Sequence, residues 1–307
     1  MIGKWHLGDR QPHLPNDFGF DTFFGALYSN NTKRHQFYKN REVAIPHPVD
    51  QNEITQWMTS EAISFIAETS ADPFFLYLAH PMPHEPVHTS APYRNSSAAG
   101  FYGDCVQELD WSLSEILRTI PQTGIEDQTL VIFTSDNGPW WQGNPGFKRG
   151  RKNFPFDEGY IIPFIAYWSG VIPTGSISDE MVMNFDLFTT CLDIAGIEPP
   201  TDRIIDGKSI LPLLLDQGES PHDTLFFHKG KNLISIRQGD WKYLRRHMTD
   251  NEGYASLSQG PFLFNLATDP NESYNLIDNQ PMIANKLLKT LDQFDASIVK
   301  NIRGWKD

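Results

Sequence analysis

Two adjacent oxygen-bearing side chains, Asp136 and Asn137, stand at the end of an apolar run. The run, Leu130–Thr134, has the length and composition of a buried strand. In open α/β sheets ligands bind outside the carboxyl ends of the strands, and a carboxylate beside an amide suits a hard cation such as Ca²⁺. The same residues also fit an Asx turn leading into Gly138, so this segment alone leaves both readings open.

A lysine and a histidine, Lys4 and His6, stand two positions apart in the segment GKWHLG at Gly3–Gly8. If the chain is extended there, both side chains point to the same side. A lysine beside a titratable imidazole could hold an anion and move a proton. A plain surface turn is the alternative for these residues taken alone.

A second histidine, His84, lies in the proline-rich loop His80–Pro86, directly after the apolar run Pro73–Ala79. The prolines restrict this loop, so His84 is a candidate general acid, with a structural histidine as the alternative. Lys152 adds a cation near the Asp136 segment, although by itself it also fits a solvated basic turn.

The elements that position these residues alternate between strand and helix, which predicts an α/β fold with a mostly parallel sheet flanked by helices. Three continuous apolar runs, Pro73–Ala79, Leu130–Thr134 and Pro163–Trp168, are expected to be buried parallel strands covered on both faces. Three helices are predicted, over Ile54–Ile66, Tyr102–Ile120 and Asp186–Ala195. In the first two, apolar residues recur at helical spacing, which in the second helix includes Val106 and Leu109. Asn52 is expected to cap the first helix. After about residue 215 short apolar segments alternate with turns, and a last helix spans about 282–298, which predicts a small antiparallel sheet plus a helix. We therefore predict a catalytic domain over 1–215 and an α+β subdomain over 216–307.

The composition argues against some classes of binding partner. The 307 residues carry a formal charge of -13 and contain no Lys/Arg-rich tract, which argues against nucleic acid. No run of about 18 apolar residues is present, so no membrane span is expected, and no signal peptide opens the chain. The two cysteines, Cys105 and Cys191, sit in helix-like apolar patterns and are expected to be small buried side chains.

Seven stretches in this order resemble the type I sulfatases, which share the alkaline-phosphatase-like fold. They are GKWHLG, DFGFDTFFG at 17–25, PFFLYLAHPMPHEPV at 73–87, FTSDNG at 133–138, DGKSILPLL at 206–214, IRQGDWKYL at 236–244 and LFNLATDPNESYNL at 263–276. The resemblance covers nearly the whole chain, and it implies hydrolysis of sulfate esters of small molecules or glycans.

The resemblance also implies a role for each candidate. Asp136 and Asn137 match a metal-binding pair for one Ca²⁺, with two further aspartate ligands expected upstream of Met1. Lys4 resembles the lysine that contacts the sulfate, and His6 resembles the base of the second half of the reaction. His84 resembles the histidine that binds the sulfate and protonates the leaving alcohol, and Lys152 resembles the lysine that assists this histidine. Ser29 resembles a serine that contacts the substrate.

One feature of the family is not matched by these residues. Its nucleophile, a formylglycine made from Cys or Ser in a Cys/Ser-x-Pro-x-Arg motif, is expected ahead of GKWHLG. Neither cysteine has Pro at +2 and Arg at +4, and the match at Ser90–Arg94 falls after the His84 loop, so we reject it as a chance match.

These expectations predict a sulfatase that is truncated at its N-terminus, with an incomplete sheet and no activity as this chain alone. A phosphate mono- or diester hydrolase of the same fold, or a non-catalytic sulfate-binding relic, are the alternatives. The family resemblance also implies a periplasmic or secreted location.

Overall fold

The computed structural model of the protein describes residues 1–230, 232–245 and 260–300. The chain divides into two compact units, residues 1–129 and residues 130–307. The domain boundary predicted at 215/216 stays a prediction, and within 216–307 residues 231, 246–259 and 301–307 lie outside the described residues.

The strands are β1 (Ile2–Gly3), β2 (Phe24–Gly25), β3 (Phe37–Lys39), β4 (Glu42–Ile45), β5 (Leu78–Ala79), β6 (Val131–Thr134), β7 (Phe164–Tyr167), β8 (Thr224–Lys229), β9 (Asn232–Gln238), β10 (Trp241–Leu244) and β11 (Phe262–Asn265). The α-helices are α1 (Ile54–Thr69), α2 (Gly100–Gln122), α3 (Asp186–Ile194), α4 (Leu211–Leu214) and α5 (Pro281–Lys300). Among the described residues, no helix is long and apolar enough to cross a membrane.

The first unit contains a mixed sheet in the order β4-β3-β2-β1-β5. β1 runs parallel to β2 and β5, whereas β2, β3 and β4 pair antiparallel in succession. The α/β class is confirmed, but within the part of the chain that the structure describes, parallel pairing is limited to β1, β2 and β5.

The prediction of a fully buried strand over Pro73–Ala79 is wrong. Only Leu78–Ala79 forms a strand, and Phe75 and Tyr77 are 62% and 50% exposed. β5 is the last strand on its side of this five-stranded sheet, so it has a strand partner only along β1.

The helix α1 buries the predicted apolar stripe. Ile54, Met58 and Ala62 are completely buried, as spacing of three and four residues on one helical face requires. The cap prediction is wrong, because the N-cap residue of α1 is Glu53, which makes no side-chain capping bond. Asp50 instead caps the short 3-10 helix Gln51–Glu53 before α1, and its side chain accepts a hydrogen bond from the Asn52 N–H.

The helix α2 forms as predicted, but its buried face is rotated from the predicted apolar stripe. Val106 is 43% exposed, while Asp104, Glu108 and Ser112 are buried. These polar side chains stay buried because each has hydrogen-bond partners in the loop of residues 89–97 or in α1. The prediction of a small buried side chain is confirmed for Cys105, at 1% exposure, but Cys191 is only half-buried.

Among its described residues, the second unit contains two sheets. β6 and β7 pair antiparallel, so the prediction that these runs are parallel strands covered on both faces is wrong, and Ile165 of β7 is 60% exposed. The predicted C-terminal sheet is confirmed as an antiparallel meander in the order β11-β10-β9-β8. Helix α5 covers it, with Leu287 and Leu291 packed in one cluster with Ile236 and Leu263.

Candidate active site

Three parallel strands in residues 1–129 end at one edge of the sheet and present predicted site residues there. Lys4 follows β1, Ser29 lies in the segment after β2, and His84 lies in the loop after β5. The strands are parallel, so their carboxyl ends meet at the same edge, where α/β sheets bind ligands. The Lys4 N–H donates to the Ala79 carbonyl oxygen at 2.8 Å, which joins the ends of β1 and β5.

The backbone at His6 differs from the extended chain expected there. His6 has φ 62°, in the left-handed region, so the alternation argument that put Lys4 and His6 on one side does not hold. The His6 ring instead stands edge-on to Tyr28, with 5.6 Å between ring centroids. The backbone N–H of His6 donates to the Leu27 carbonyl oxygen at 2.9 Å. These contacts anchor His6 to the segment that leads to Ser29.

The residue after Ser29 ties two of these segments together. Asn30 is 1% exposed, and its Nδ2 donates to the Pro86 carbonyl oxygen at 2.8 Å and to Gln51 Oε1 at 3.0 Å. Ser29 itself is 6% exposed. Asn30 therefore fixes the loop of His84 relative to Ser29, a bracing role that only its position beside Ser29 could have suggested.

The orientation of the His84 ring is set by its own loop. Its Nδ1 lies 2.6 Å from the Glu85 carbonyl oxygen. A carbonyl oxygen only accepts hydrogen bonds, so the proton in this contact belongs to Nδ1. Nε2 is then the nitrogen through which His84 can contact an anion or donate a proton to a leaving oxygen.

Another histidine of the same loop, His80, has a buried ring that contacts the helices α1 and α2 through hydroxyl groups. Its Nε2 lies 3.2 Å from Ser112 Oγ, which is 2.6 Å from Thr59 Oγ1. Its Nδ1 is sealed from solvent, and burial lowers the pKa of His80 to about 4. His80 is therefore neutral at ordinary pH and serves as a structural support.

The chance motif at Ser90 is part of the core. Ser90 is 2% exposed, its N–H donates to Glu108 Oε2 at 3.0 Å, and its hydroxyl accepts from Gln56 Nε2 at 3.2 Å. A hydroxyl sealed in this way cannot meet a substrate, which agrees with rejecting it as the nucleophile.

Neither thiol is suited to nucleophilic attack. Burial raises the pKa of Cys105 to about 12, and burial also raises the pKa of Cys191. The thiolate is the reactive form, so both groups are inert near neutral pH.

In residues 130–307 the predicted cation ligands follow β6. Asp136 is exposed, and Asn137 Nδ2 donates to the Gly138 carbonyl oxygen at 2.8 Å, so its Oδ1 remains an acceptor. Asn184 Nδ2 donates to the Ser135 carbonyl oxygen at 2.8 Å, which helps to fix this turn. No pattern in the sequence singled out Asn184.

The loop of Lys152 is docked against this turn. The Lys152 N–H donates to the Pro139 carbonyl oxygen at 2.9 Å, and the Gly138 N–H donates to the Gly159 carbonyl oxygen at 3.2 Å. A Cβ at position 138 would come within 1.6 Å of the Glu158 carbonyl oxygen, so only glycine permits this approach. The structure thus brings Lys152 and the Asp136–Asn137 pair into one assembly of loops.

The donor set is compatible with part of a Ca²⁺ site. Asp136 and Asn137 offer two hard oxygen ligands, whereas Ca²⁺ takes six to eight. Within 1–230, 232–245 and 260–300, no group of three or more His, Cys, Asp or Glu side chains could hold a metal ion. The pair therefore supplies two of the oxygen ligands that a Ca²⁺ site would need.

Comparison with known proteins identifies the class. A family model described as Sulfatase matches residues 1–197, and one described as N-sulphoglucosamine sulphohydrolase, C-terminal, matches residues 147–297. The chain therefore belongs to the sulfatase family.

Individual relatives agree. The chain is 30% identical to an arylsulfatase of Hemicentrotus pulcherrimus, over 97% of this chain and 66% of that protein. It is 33% identical to the N-acetylgalactosamine-6-sulfatase of Mus musculus, over 90% of this chain and 61% of that protein. The chain thus spans less than two thirds of these two curated relatives.

Solved structures confirm the fold. A sulfatase from Pseudoalteromonas sp. matches with a TM-score of 0.88 at 23% identity, over 99% of this chain and 71% of that one. A structure in complex with D-glucosamine-2-N,6-O-disulfate matches with a TM-score of 0.71 at 17% identity, over 100% of this chain and 81% of that one.

Proposed function

We propose that this protein hydrolyses sulfate esters. The observation that carries the proposal is the match of residues 1–197 to the sulfatase family model, because that range contains every candidate site residue of both units.

The proposed roles follow from charge and protonation. Cleavage of a sulfate ester puts negative charge on the leaving oxygen, which fixed cations and a proton donor stabilise. Lys4 and Lys152 would hold the sulfate oxygens, and His84 would bind the sulfate and deliver a proton from Nε2. His6 would act as the base of the second step, and Ser29 would contact the substrate.

We also propose Ca²⁺ as the cofactor, held in part by Asp136 and Asn137. A bound Ca²⁺ would supply positive charge to stabilise the anionic group during reaction. The exposed carboxylate of Asp136 and the acceptor Oδ1 of Asn137 support this assignment through their chemistry.

The proposed nucleophile is a formylglycine, derived from Cys or Ser, that is not among these 307 residues. The buried Ser90 and the raised pKa values of Cys105 and Cys191 support a source outside them. Such a group supplies a nucleophilic hydroxyl and divides one difficult displacement into two easier steps.

The proposed substrates are sulfate esters of glycans or small aryl compounds, met in the periplasm or outside the cell. The relatives support this range of substrates, since they include an arylsulfatase, an N-acetylgalactosamine-6-sulfatase and a structure with a disulfated glucosamine.

The test is a paired assay of the protein expressed from its native reading frame, together with any coding sequence ahead of Met1 and a formylglycine-generating enzyme. We expect Ca²⁺-dependent turnover of an aryl sulfate, and much lower turnover of the matching aryl phosphate. Preference for the phosphate would support a phosphoesterase of the same fold, and no turnover of either ester would support a binding relic.

A further inference from the structure

Three charged side chains meet in the interior of the second unit, away from solvent. Lys242 Nζ of β10 lies 2.7 Å from Asp157 Oδ1 and 2.8 Å from Glu272 Oε1, and the Lys242 and Glu272 side chains are fully buried. The second contact is an ion pair by distance but lacks the geometry of a hydrogen bond. We call Lys242, Asp157 and Glu272 the buried triad.

A contribution to folding stability alone does not explain the buried triad. Removing charges from water costs several kcal/mol per ion, and well-packed apolar residues often serve equally well. What a buried ionic group can provide instead is a fixed relative position for the segments that carry it. Here those segments are β10, the turn at Asp157–Gly159 and the turn after β11.

The contacts show which segment is held in place. Glu272 Oε2 accepts the Asp157 N–H at 2.6 Å, and the Glu272 carbonyl oxygen accepts from Arg149 Nη1 at 2.8 Å. Arg149 and Asp157 are the two ends of the loop that carries Lys152. One residue, Glu272, therefore holds both ends of that loop.

Hydrogen bonds also join this loop to the turn that contains the proposed cation ligands, Asp136 and Asn137. Gly159, two residues after Asp157, accepts from the Gly138 N–H, and Lys152 N–H donates to the Pro139 carbonyl oxygen. Gly138 directly follows Asn137. A displacement of Asp157 would thus move both Lys152 and the Asp136–Asn137 turn.

We propose that the buried triad consists of positioning residues, through which the C-terminal four-stranded sheet sets the geometry of Lys152 and of the Asp136–Asn137 turn. Its effect on catalysis rests on the proposed function, whereas its effect on the loops does not. The catalytic face would then depend on the four-stranded sheet although none of the triad touches the substrate.

The test compares two substitutions that each replace a cation by methionine, one within β10 and one directly after it. Lys242→Met removes the cation of the buried triad. Arg245→Met is the matched control, because Arg245 also pairs with two carboxylates, Asp292 and Asp295, but these lie on α5 rather than on the site loops. Lys242→Arg is the rescue variant, and Asp157→Asn is the milder alternative if Lys242→Met does not fold.

The first readout is hydrogen–deuterium exchange of the full chain, which needs no activity. We expect Lys242→Met, or Asp157→Asn, to lose protection chiefly in peptides covering 136–160, while Arg245→Met loses it in α5. Equal loss throughout the second unit, or loss over 136–160 in Arg245→Met as well, would overturn the positioning role.

The second readout is steady-state hydrolysis of an aryl sulfate by the native-frame protein. Supporting residues of this kind alter activity by about 10–100-fold, so we expect at least a tenfold fall in kcat/KM for Lys242→Met, partial recovery in Lys242→Arg and little change in Arg245→Met. A normal kcat/KM in Lys242→Met would overturn the catalytic part. If the unsubstituted protein turns over no sulfate, the proposed function fails, and the exchange data still decide whether the buried triad holds the loops.

Discussion

At the scale of single residues, protonation is set by immediate neighbours. His84 and His80 lie four positions apart in one loop, yet the His84 ring contacts a carbonyl of its own loop and the His80 ring contacts Ser112 of α2. The Glu85 carbonyl directs the His84 Nδ1 proton, while burial keeps His80 neutral with a pKa of about 4. Sequence alone could not tell them apart, because both follow the same apolar run.

His84 offers a sharp test of the acid role. His84→Asn should lower kcat by about 10²–10⁴-fold on an alkyl sulfate, whose leaving alkoxide needs a proton, and far less on a nitrophenyl sulfate. The measurement is kcat on both esters, and His88→Asn, a nearby half-buried histidine, is the control. Equal losses on the two esters would contradict proton donation.

His80 predicts a pH dependence of stability. Its folded pKa is depressed from 6.5 to about 4, so its contribution is present above pH 6.5 and is lost as the pH falls toward 4. The full shift corresponds to about 3 kcal/mol of unfolding free energy. Denaturant unfolding of wild type and His80→Gln between pH 4 and 7 should show a shallower slope in the variant, and parallel curves would refute the assignment.

At the scale of elements, α2 shows where sequence reasoning succeeded and failed. The helix itself and the stripe of α1 were predictable from spacing, but the buried face of α2 was not. Its buried carboxylates and hydroxyl look like surface residues until the loop of residues 89–97 supplies their partners. Likewise, the strand at Pro73–Ala79 was overestimated because an apolar run does not reveal which part of it finds a strand partner.

Glu108 should stabilise this arrangement strongly. It is fully buried and accepts from Thr89 Oγ1, from the Ser90 N–H and from Gln56 Nε2. Glu108→Ala leaves these donors without their acceptor, and we expect a loss of about 3 kcal/mol or more in unfolding free energy. Glu115→Ala on the same helix, which breaks only a surface pair with Arg118, should cost at most about 1 kcal/mol in the same denaturation experiment.

Gly138 should control the docking of the two site loops. Gly138→Ala places a Cβ against the Glu158 carbonyl, so the Asp136–Asn137 turn must move. We expect weaker Ca²⁺ binding by calorimetry than in the unsubstituted protein. Gly218→Ala, whose Cβ would come no nearer than 3.1 Å to another atom, should bind Ca²⁺ normally. Unchanged binding in Gly138→Ala would show that the docking is dispensable.

At the scale of the whole molecule, the family and α/β class could be read from the order of motifs along the chain. The mixed sheet, the antiparallel pairing of β6 and β7 and the buried triad could not, because they depend on pairings between distant segments. The braces Asn30 and Asn184 were missed for the same reason, since nothing local distinguishes a bracing amide from a surface one.

The central proposal is that this protein hydrolyses sulfate esters, with Lys4, His6, Ser29 and His84 as the site residues of 1–129 and Asp136, Asn137 and Lys152 as those of 130–307. The most direct measurement is a crystal structure of the native-frame protein grown with Ca²⁺ and a non-hydrolysable sulfate-ester analogue, with both atoms located by anomalous scattering. The account predicts Ca²⁺ on the side-chain oxygens of Asp136 and Asn137, and the sulfate group in contact with Lys4 and His84. Ca²⁺ bound away from Asp136 and Asn137, or a sulfate group bound away from Lys4 and His84, would contradict it.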